Sequence, residues 1–170
     1  TATRPGYEFV GWSTEPNSSE VLTTGPTVTK NITLYAVFRK VVTLTFVTTI
    51  NNKTPVYVDN NEPTCSIYNN ETSCQIQVPT LKAKVENEAL GWTTTLGSLD
   101  IVYEGEELLD VSSDATYYAL SRKVTPLTAT FYYLKDGNPT MEVKECYLYN
   151  GATECTITAP TNTEKYQGLN

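Results

Sequence analysis

The sequence repeats itself with a period of about 80 residues. Gly-Trp-Ser-Thr at residues 11–14 returns as Gly-Trp-Thr-Thr at residues 91–94, and Thr-Leu-Tyr-Ala at 33–36 returns as Thr-Tyr-Tyr-Ala at 116–119. Solenoid and propeller repeats have periods of about 20–50 residues. A longer period indicates that each repeat is a small domain, which restricts the chain to a tandem array of similar modules.

Other segments repeat in the same order. Cys-Ser-Ile-Tyr-Asn at 65–69 returns as Cys-Tyr-Leu-Tyr-Asn at 146–150, and Thr-Leu-Thr-Phe at 43–46 resembles Thr-Ala-Thr-Phe at 128–131. The order of these segments predicts the module boundaries. We expect the second half of a module at 1–40, a complete module at 41–123 and the first half of a further module at 124–170.

These boundaries predict different folding behaviour for the three parts. Residues 41–123 contain both halves of a module, and we expect them to fold alone. Residues 1–40 and 124–170 each contain one half, so each lacks a partner for an exposed strand edge. Two outcomes are open for the halves: they remain frayed, or they complement one another between molecules, which is a low-cost route to oligomers.

Alternating apolar and polar residues predict β-strands at 43–46, 75–78 and 127–133. Apolar runs at 34–38 and 117–120 predict the strands that close each module. Twelve Tyr residues favour strands, and nine Pro residues favour turns over helix interiors. We therefore predict a mainly β fold, with one short helix-like stretch at 105–110.

Composition excludes several classes of function. Histidine is absent, which removes Ser/His/Asp hydrolysis and histidine-ligated metal sites from this chain. The net charge of −7 opposes binding to nucleic acid. No apolar run approaches the roughly 20 residues that a membrane-spanning helix needs. We expect no enzyme, no cofactor, no nucleic-acid partner and no membrane insertion in this segment.

The first residues are Thr-Ala-Thr-Arg-Pro, without an initiating Met or the features of a signal peptide. We therefore expect the sequence to be a piece of a longer protein.

The four cysteines form two Cys-x₈-Cys pairs, Cys65 with Cys74 and Cys146 with Cys155. Residues that face each other on paired strands have Cβ atoms close to the separation that a disulfide requires. Zinc and redox sites use tighter motifs such as Cys-x₂-Cys. The spacing and the repeat together predict one local disulfide in each hairpin, and hence an oxidising environment.

Aromatic and acidic residues offer alternative sites. Trp12 and Trp92 are predicted to pack in the core, with sugar-binding platforms as the alternative. Exposed tyrosines among Tyr132, Tyr133, Tyr147 and Tyr149 are candidates for partner contact. The acidic cluster formed by Glu104, Glu106, Glu107 and Asp110 is predicted to be a solvated face, with a calcium or acid–base site as the alternative.

Residues 5–38 resemble the internalin-type B repeat, also called the Listeria-Bacteroides repeat. The resemblance rests on Gly-Tyr-x-Phe-x-Gly-Trp followed by Leu-Tyr-Ala, and its signature and core residues are Gly6, Tyr7, Phe9, Gly11, Trp12, Leu34, Tyr35 and Ala36. The complete module matches more loosely, at Gly91, Trp92, Tyr118 and Ala119. Because the usual pattern lacks paired cysteines, this chain resembles a divergent, cysteine-containing variant.

The resemblance implies β-grasp-like modules in tandem on secreted bacterial surface proteins, without catalysis. From it we expect a spacer or stalk in an extracellular, internalin-like protein, with a role in adhesion. The expected partners are the neighbouring modules of the same chain. The alternative is a binding module that recognises a host protein or glycan through exposed Tyr and Thr on strand surfaces.

Overall fold

The computed structural model describes residues 2–161 of the chain. The described residues form eleven β-strands and no helix, so the mainly β prediction is confirmed. The strands are β1 (Glu8–Ser13), β2 (Tyr35–Val47), β3 (Val56–Tyr57), β4 (Thr64–Tyr68), β5 (Cys74–Gln77), β6 (Lys82–Ala83), β7 (Asn87–Thr93), β8 (Leu108–Val111), β9 (Ala115–Lys123), β10 (Leu127–Lys135) and β11 (Asn138–Cys146).

The chain divides into two compact units. The first contains Thr1–Phe46, Asp59–Thr80 and Gly105–Tyr117, and the second contains Val47–Val58, Leu81–Glu104 and Tyr118–Asn170. Both units draw on segments that are distant in sequence. The independent folding of residues 41–123 stays a prediction.

In the first unit, β2 pairs with two antiparallel neighbours. β1 pairs with its N-terminal part, from Glu8↔Arg39 to Ser13↔Tyr35, and β4 pairs with residues 39–43. β5 and β8 form a second antiparallel pair. Alternation along β2 buries Val42, Leu44 and Phe46 on one face, and the ring of Phe46 stacks on Tyr117 with centroids 5.3 Å apart. These residues form the core of the first unit together with Val37, Ile67, Ile76 and Val78.

In the second unit, β7 pairs antiparallel with β9, β3 with β6 and β10 with β11. Its buried apolar residues are Ile50, Val56, Leu81, Trp92, Ala119 and Leu120. β10 and β11 form a ribbon of nine facing pairs, from Leu127↔Cys146 to Lys135↔Asn138. Val124, Leu127, Tyr132, Met141 and Val143 are exposed, so this ribbon and the segment before it contribute much of the exposed apolar surface of the unit.

The predicted strands are present, but the helix-like interpretation of residues 105–110 is wrong. Gly105 has a φ of 126° and Glu106 a φ of 71°, backbone conformations that a right-handed helix does not contain. The residues that follow form β8 and pair with β5, from Gln77↔Leu108 to Cys74↔Val111. The four-residue pattern Glu-Glu-Leu-Leu was too short to separate a helix from a strand, and pairing with β5 decides in favour of the strand.

Candidate functional site

The two Gly-Trp motifs have the same local geometry. β1 has an irregular register between Phe9 and Gly11, and β7 has one between Ala89 and Gly91, 80 residues later. Beyond each irregularity, the tryptophan carbonyl oxygen accepts a backbone hydrogen bond of 2.8 Å, from Leu22 to Trp12 and from Val102 to Trp92.

The glycine of the second motif is sterically required. Gly91 has a φ of 146°, and a Cβ atom added there would lie 2.6 Å from the carbonyl oxygen of Tyr103. Few L-residues adopt that backbone conformation, and none fits the contact without a backbone shift.

The environments of the two tryptophans differ. Trp92 is 0% exposed, as the core prediction requires, whereas Trp12 is 43% exposed and makes an edge contact with Phe9 at 5.5 Å between ring centroids. The core prediction is therefore wrong for Trp12. The physical reason is that the burial of a tryptophan ring depends on the segments that pack over it, and the Gly-Trp motif does not specify those segments.

The remaining signature residues build the first half-sheet. Gly6, with a φ of 76°, forms the turn that brings Tyr7 back to Arg4, whose guanidinium carbon lies 3.9 Å from the centre of the Tyr7 ring. Phe9 packs edge-on against Phe38. Tyr35 pairs with Ser13 and Ala36 with Trp12, whereas Leu34 precedes β2. In the second unit, Tyr118 pairs with Thr93 and Ala119 with Trp92.

The cysteines form two local disulfides. Cys65–Cys74 joins β4 to β5, and Cys146–Cys155 joins the end of β11 to the segment that follows it. The local pairing is confirmed, but the predicted hairpin is wrong, because β4 pairs with β2 and β5 pairs with β8. The Cα atoms are 5.9 and 6.1 Å apart, within the usual range for disulfides. No free cysteine is present among the described residues.

A cluster of polar contacts lies directly after β4, and we call it the first clamp. Asn69 has a φ of 47°, and its side-chain oxygen accepts a hydrogen bond of 2.9 Å from the backbone N–H of Phe38. The Asn69 backbone N–H donates to the Phe38 carbonyl oxygen at 3.0 Å. The Asn69 side-chain amide donates to the Ser18 carbonyl oxygen at 2.7 Å, and Arg4 donates to the Asn69 carbonyl oxygen. The first clamp thus connects the disulfide-closed segment 65–74 to Arg4, Ser18 and Phe38.

An ion pair adjoins Asn69. The Arg39 guanidinium donates to Glu8 at 2.8 Å. The hydrogen bond and charge of Glu8 raise the pKa of Arg39, with a further contribution from its hydrogen bond to Tyr68. The arginine therefore remains charged and bridges β1 and β4.

The second unit contains the same arrangement about 80 residues later, which we call the second clamp. Asn150 has a φ of 50°, and its side-chain oxygen accepts a hydrogen bond of 2.9 Å from the Ser121 backbone N–H. The Asn150 backbone N–H donates to the Ser121 carbonyl oxygen at 2.9 Å. Arg122 donates to Glu88 at 2.7 Å, and this hydrogen bond, supported by a hydrogen bond to Tyr149, raises the pKa of Arg122.

The two clamps have a shared position relative to the modules. With the predicted boundaries, the first clamp joins Asn69 of the complete module to Phe38 of the half module before it. The second clamp joins Asn150 of the half module after the complete module to Ser121 of the complete module. On those predicted boundaries each clamp joins residues of successive modules, and each clamp lies within one of the two compact units. Sequence analysis did not assign this role, although the signal was present in the repeated Tyr-Asn and Arg-Lys pairs.

The acidic residues do not converge. Glu107 accepts a hydrogen bond from the Gly105 backbone at 2.8 Å, Glu106 is 3.4 Å from the Thr80 hydroxyl, and Asp110 accepts from the Gln75 side chain at 3.1 Å. Each of these three carboxylates thus has its own local partner. Within residues 2–161, no group of three or more acidic or cysteine side chains is arranged to hold a metal ion.

Two surface depressions lie next to the clamps. One, of about 280 Å³, borders the first clamp and includes Arg4, Tyr35 and Asn69. The other, of about 580 Å³, lies in the second unit and includes Lys53, Lys84 and Lys123. The Lys123 ammonium donates to Glu86 at 2.8 Å, which lowers the pKa of that carboxyl group.

Comparison with known proteins gives one family match. Residues 1–37 match the family model of the Listeria-Bacteroides repeat domain. This family is a non-catalytic type of domain that occurs in bacterial surface proteins. No curated protein and no solved structure gives a significant match to the chain. In the described part of the chain, no helix is long and apolar enough to cross a membrane.

Proposed function

We propose that this chain is a non-catalytic spacer region of an extracellular bacterial surface protein, in which clamped modules hold a distant functional part away from the cell. Repetition of a whole module extends the length of such a protein without requiring a new site in each copy. The match at residues 1–37 to a repeat of bacterial surface proteins supports this location.

The observation that carries the spacer proposal is the recurrence of the clamp. A flexible linker needs no specific contacts between modules, and its composition is typically rich in Gly, Ser or Pro. At each predicted junction, an asparagine in the left-handed region instead makes two hydrogen bonds to a single residue that the predicted boundaries assign to the preceding module. Contacts of this kind restrict bending at the junction, which is the property that a stalk needs.

Small-angle X-ray scattering of the whole chain tests the spacer proposal. The wild type should give a narrow distribution of radii of gyration. The double variant Asn69→Gly/Asn150→Gly removes the side-chain hydrogen bonds of both clamps, and its distribution should broaden. Glycine retains access to the left-handed conformation, so the change removes the side chain without straining the backbone.

A matched control uses the same substitution at exposed sites. Asn51 and Asn52 have φ values of 54° and 58° and lie outside both clamps. The variant Asn51→Gly/Asn52→Gly should scatter like the wild type. Equal distributions for the wild type and the clamp variant would contradict a rigid spacer.

One surface favours a second candidate function, the binding of a host protein or glycan. On the ribbon of β10 and β11, Thr128, Thr130, Tyr132, Met141 and Val143 lie on one exposed face. Aromatic and hydroxyl side chains together suit sugar rings and protein surfaces. The variant Tyr132→Ala should weaken binding to host-cell glycans on an array, whereas Tyr57→Ala, an exposed tyrosine on β3, should not. Equal binding by both variants would remove this candidate.

A further inference from the structure

The larger surface depression of the second unit has a lining whose charged side chains are all basic. Its volume of about 580 Å³ lies within the usual range of small-ligand pockets. Among the described residues, its lining includes Lys53, Lys84 and Lys123 and no Asp or Glu. The whole chain has a net charge of −7 and only twelve basic residues, so the meeting of three of them at one depression is a local exception. A cleft lined by charges of one sign attracts ligands of the opposite sign.

A tight turn and a close packing contact position Lys53. The backbone groups of Ile50 and Lys53 exchange two hydrogen bonds of 2.9 Å, and Asn51 and Asn52 between them have φ values of 54° and 58°. A Cβ atom added at Gly151 would lie 2.5 Å from the Cβ atom of Lys53. The aliphatic stem of Lys53 therefore packs directly against the Gly151 backbone, which fixes where this side chain leaves the surface.

Backbone hydrogen bonds position the other two lysines. The Lys84 backbone N–H donates to the Pro55 carbonyl oxygen at 2.9 Å, directly after β6 pairs with β3. The Lys123 backbone N–H donates to the Leu148 carbonyl oxygen at 2.9 Å. The three lysines thus come from three segments of the second unit that the fold brings together.

The charges of the three lysines are balanced differently. The Lys123 ammonium donates to Glu86 at 2.8 Å, and this ion pair neutralises its charge. Within residues 2–161, neither Lys53 nor Lys84 has an ion-pair partner. Two ammonium groups are therefore available to an anionic ligand.

The rest of the lining indicates the class of that ligand. Sugar rings present apolar C–H faces together with hydroxyl groups, and the lining offers both kinds of partner: Pro55, Leu148, Ala152, Thr54, Asn87 and Thr153. A bound peptide strand instead gains affinity by pairing with backbone groups at a sheet edge. At this depression the backbone N–H groups of Lys53, Lys84 and Lys123 already donate within the unit. The lining thus favours an acidic sugar over an acidic peptide.

We propose that this depression binds an acidic oligosaccharide, whose carboxylate or sulfate groups pair with Lys53 and Lys84 and whose rings lie on the lining between them. The site contains none of the residues of the exposed face on β10 and β11, and its ligand is charged. The proposal does not depend on the spacer function.

Titration of the whole ¹⁵N-labelled chain, followed by NMR, tests the site. The probes are trigalacturonate, which carries carboxylates, and a heparin-derived tetrasaccharide, which also carries sulfates. The backbone amides of Lys84, Gly151 and Ala152 should shift, with a dissociation constant of about 1 mM or tighter, equivalent to about 4 kcal/mol. Added salt should weaken the binding, because it screens exposed charges. The methyl ester of trigalacturonate has the same rings without charge and should bind at least about tenfold more weakly, equivalent to about 1.4 kcal/mol.

Two variants test the two available charges. Lys53→Gln and Lys84→Gln retain most of the aliphatic stem and remove the charge, and each should weaken binding of the acidic probes about two- to fivefold. The double variant should weaken binding by about tenfold. The control Lys135→Gln makes the same change of net charge at an exposed residue of β10 outside the depression, and it should bind like the wild type.

Four results would overturn the proposal. Neither acidic probe shifts the amides at the depression, or the neutral methyl ester binds as tightly as trigalacturonate. A hexaglutamate peptide that binds as tightly as the acidic sugars would refute the assignment to a sugar. A double variant that binds no more weakly than Lys135→Gln would refute the roles of Lys53 and Lys84. Scattering measures the spacer proposal separately, so failure of one proposal is distinguishable from failure of the other.

Discussion

Replacing Asn69 by glycine removes the side chain that connects the disulfide-closed segment 65–74 to Ser18 and Phe38. Two hydrogen bonds are lost, the 2.9 Å bond from the Phe38 backbone and the 2.7 Å bond to the Ser18 carbonyl oxygen. The backbone hydrogen bond between Asn69 and Phe38 does not involve the side chain and can remain. The change therefore isolates the contribution of the amide group.

The magnitude follows from typical hydrogen-bond energetics. Each lost hydrogen bond contributes about 1 kcal/mol net, and a buried donor left without a partner costs about 1–3 kcal/mol. Asn69 is buried, so water cannot fully replace its contacts. We expect the free energy of unfolding to fall by about 2 kcal/mol. In a chain of this size, that corresponds to a fall in Tm of about 4–8 °C.

The assays are thermal unfolding and amide hydrogen exchange by NMR. The Phe38 amide should exchange faster in the Asn69→Gly variant, because its acceptor has been removed. The control is Asn52→Gly, which makes the same change at an exposed residue in the same backbone region and measures the effect of glycine alone. The reasoning is refuted if Asn69→Gly lowers Tm no more than Asn52→Gly, or if Phe38 exchange is unchanged.

Three further predictions concern charge, burial and folding. Glu86→Gln should lower Tm at neutral pH, because the ion pair with Lys123 lowers the pKa of Glu86 in the folded state and so stabilises the fold. The difference in Tm from the wild type should close as the pH falls through that pKa, since protonation of Glu86 removes the stabilisation. A difference in Tm that persists in acid would contradict this reasoning. At low protein concentration, acrylamide should quench the emission of a Trp92→Phe variant, which reports Trp12, far more than that of a Trp12→Phe variant; equal quenching would contradict the observed burial. A polypeptide of residues 41–123 should unfold cooperatively with its disulfide intact. If this polypeptide does not fold while a polypeptide of residues 1–123 does, the module starts upstream of residue 41.

Much of the fold was predictable from local sequence. The alternation of apolar and polar residues predicted the strands at 43–46, 75–78 and 127–133, because a strand with one buried face has an apolar residue at every second position. The repeat and the Cys-x₈-Cys spacing predicted the two local disulfides, since both pairs have the same spacing at equivalent positions of the repeat. These features depend on residues that are close in sequence or related by the repeat.

Tertiary structure decided the features that depend on distant partners. Leu108 and Leu109 of the Glu-Glu-Leu-Leu stretch became part of β8 because β5 offered them a pairing edge. The same Gly-Trp motif buries Trp92 but leaves Trp12 exposed, because burial depends on the layer that other segments place over the ring. Asn69 acquired its clamp role from Phe38, 31 residues away. Periodicity records which residues of a strand share a face, but the partner that covers this face is determined only when the chain folds.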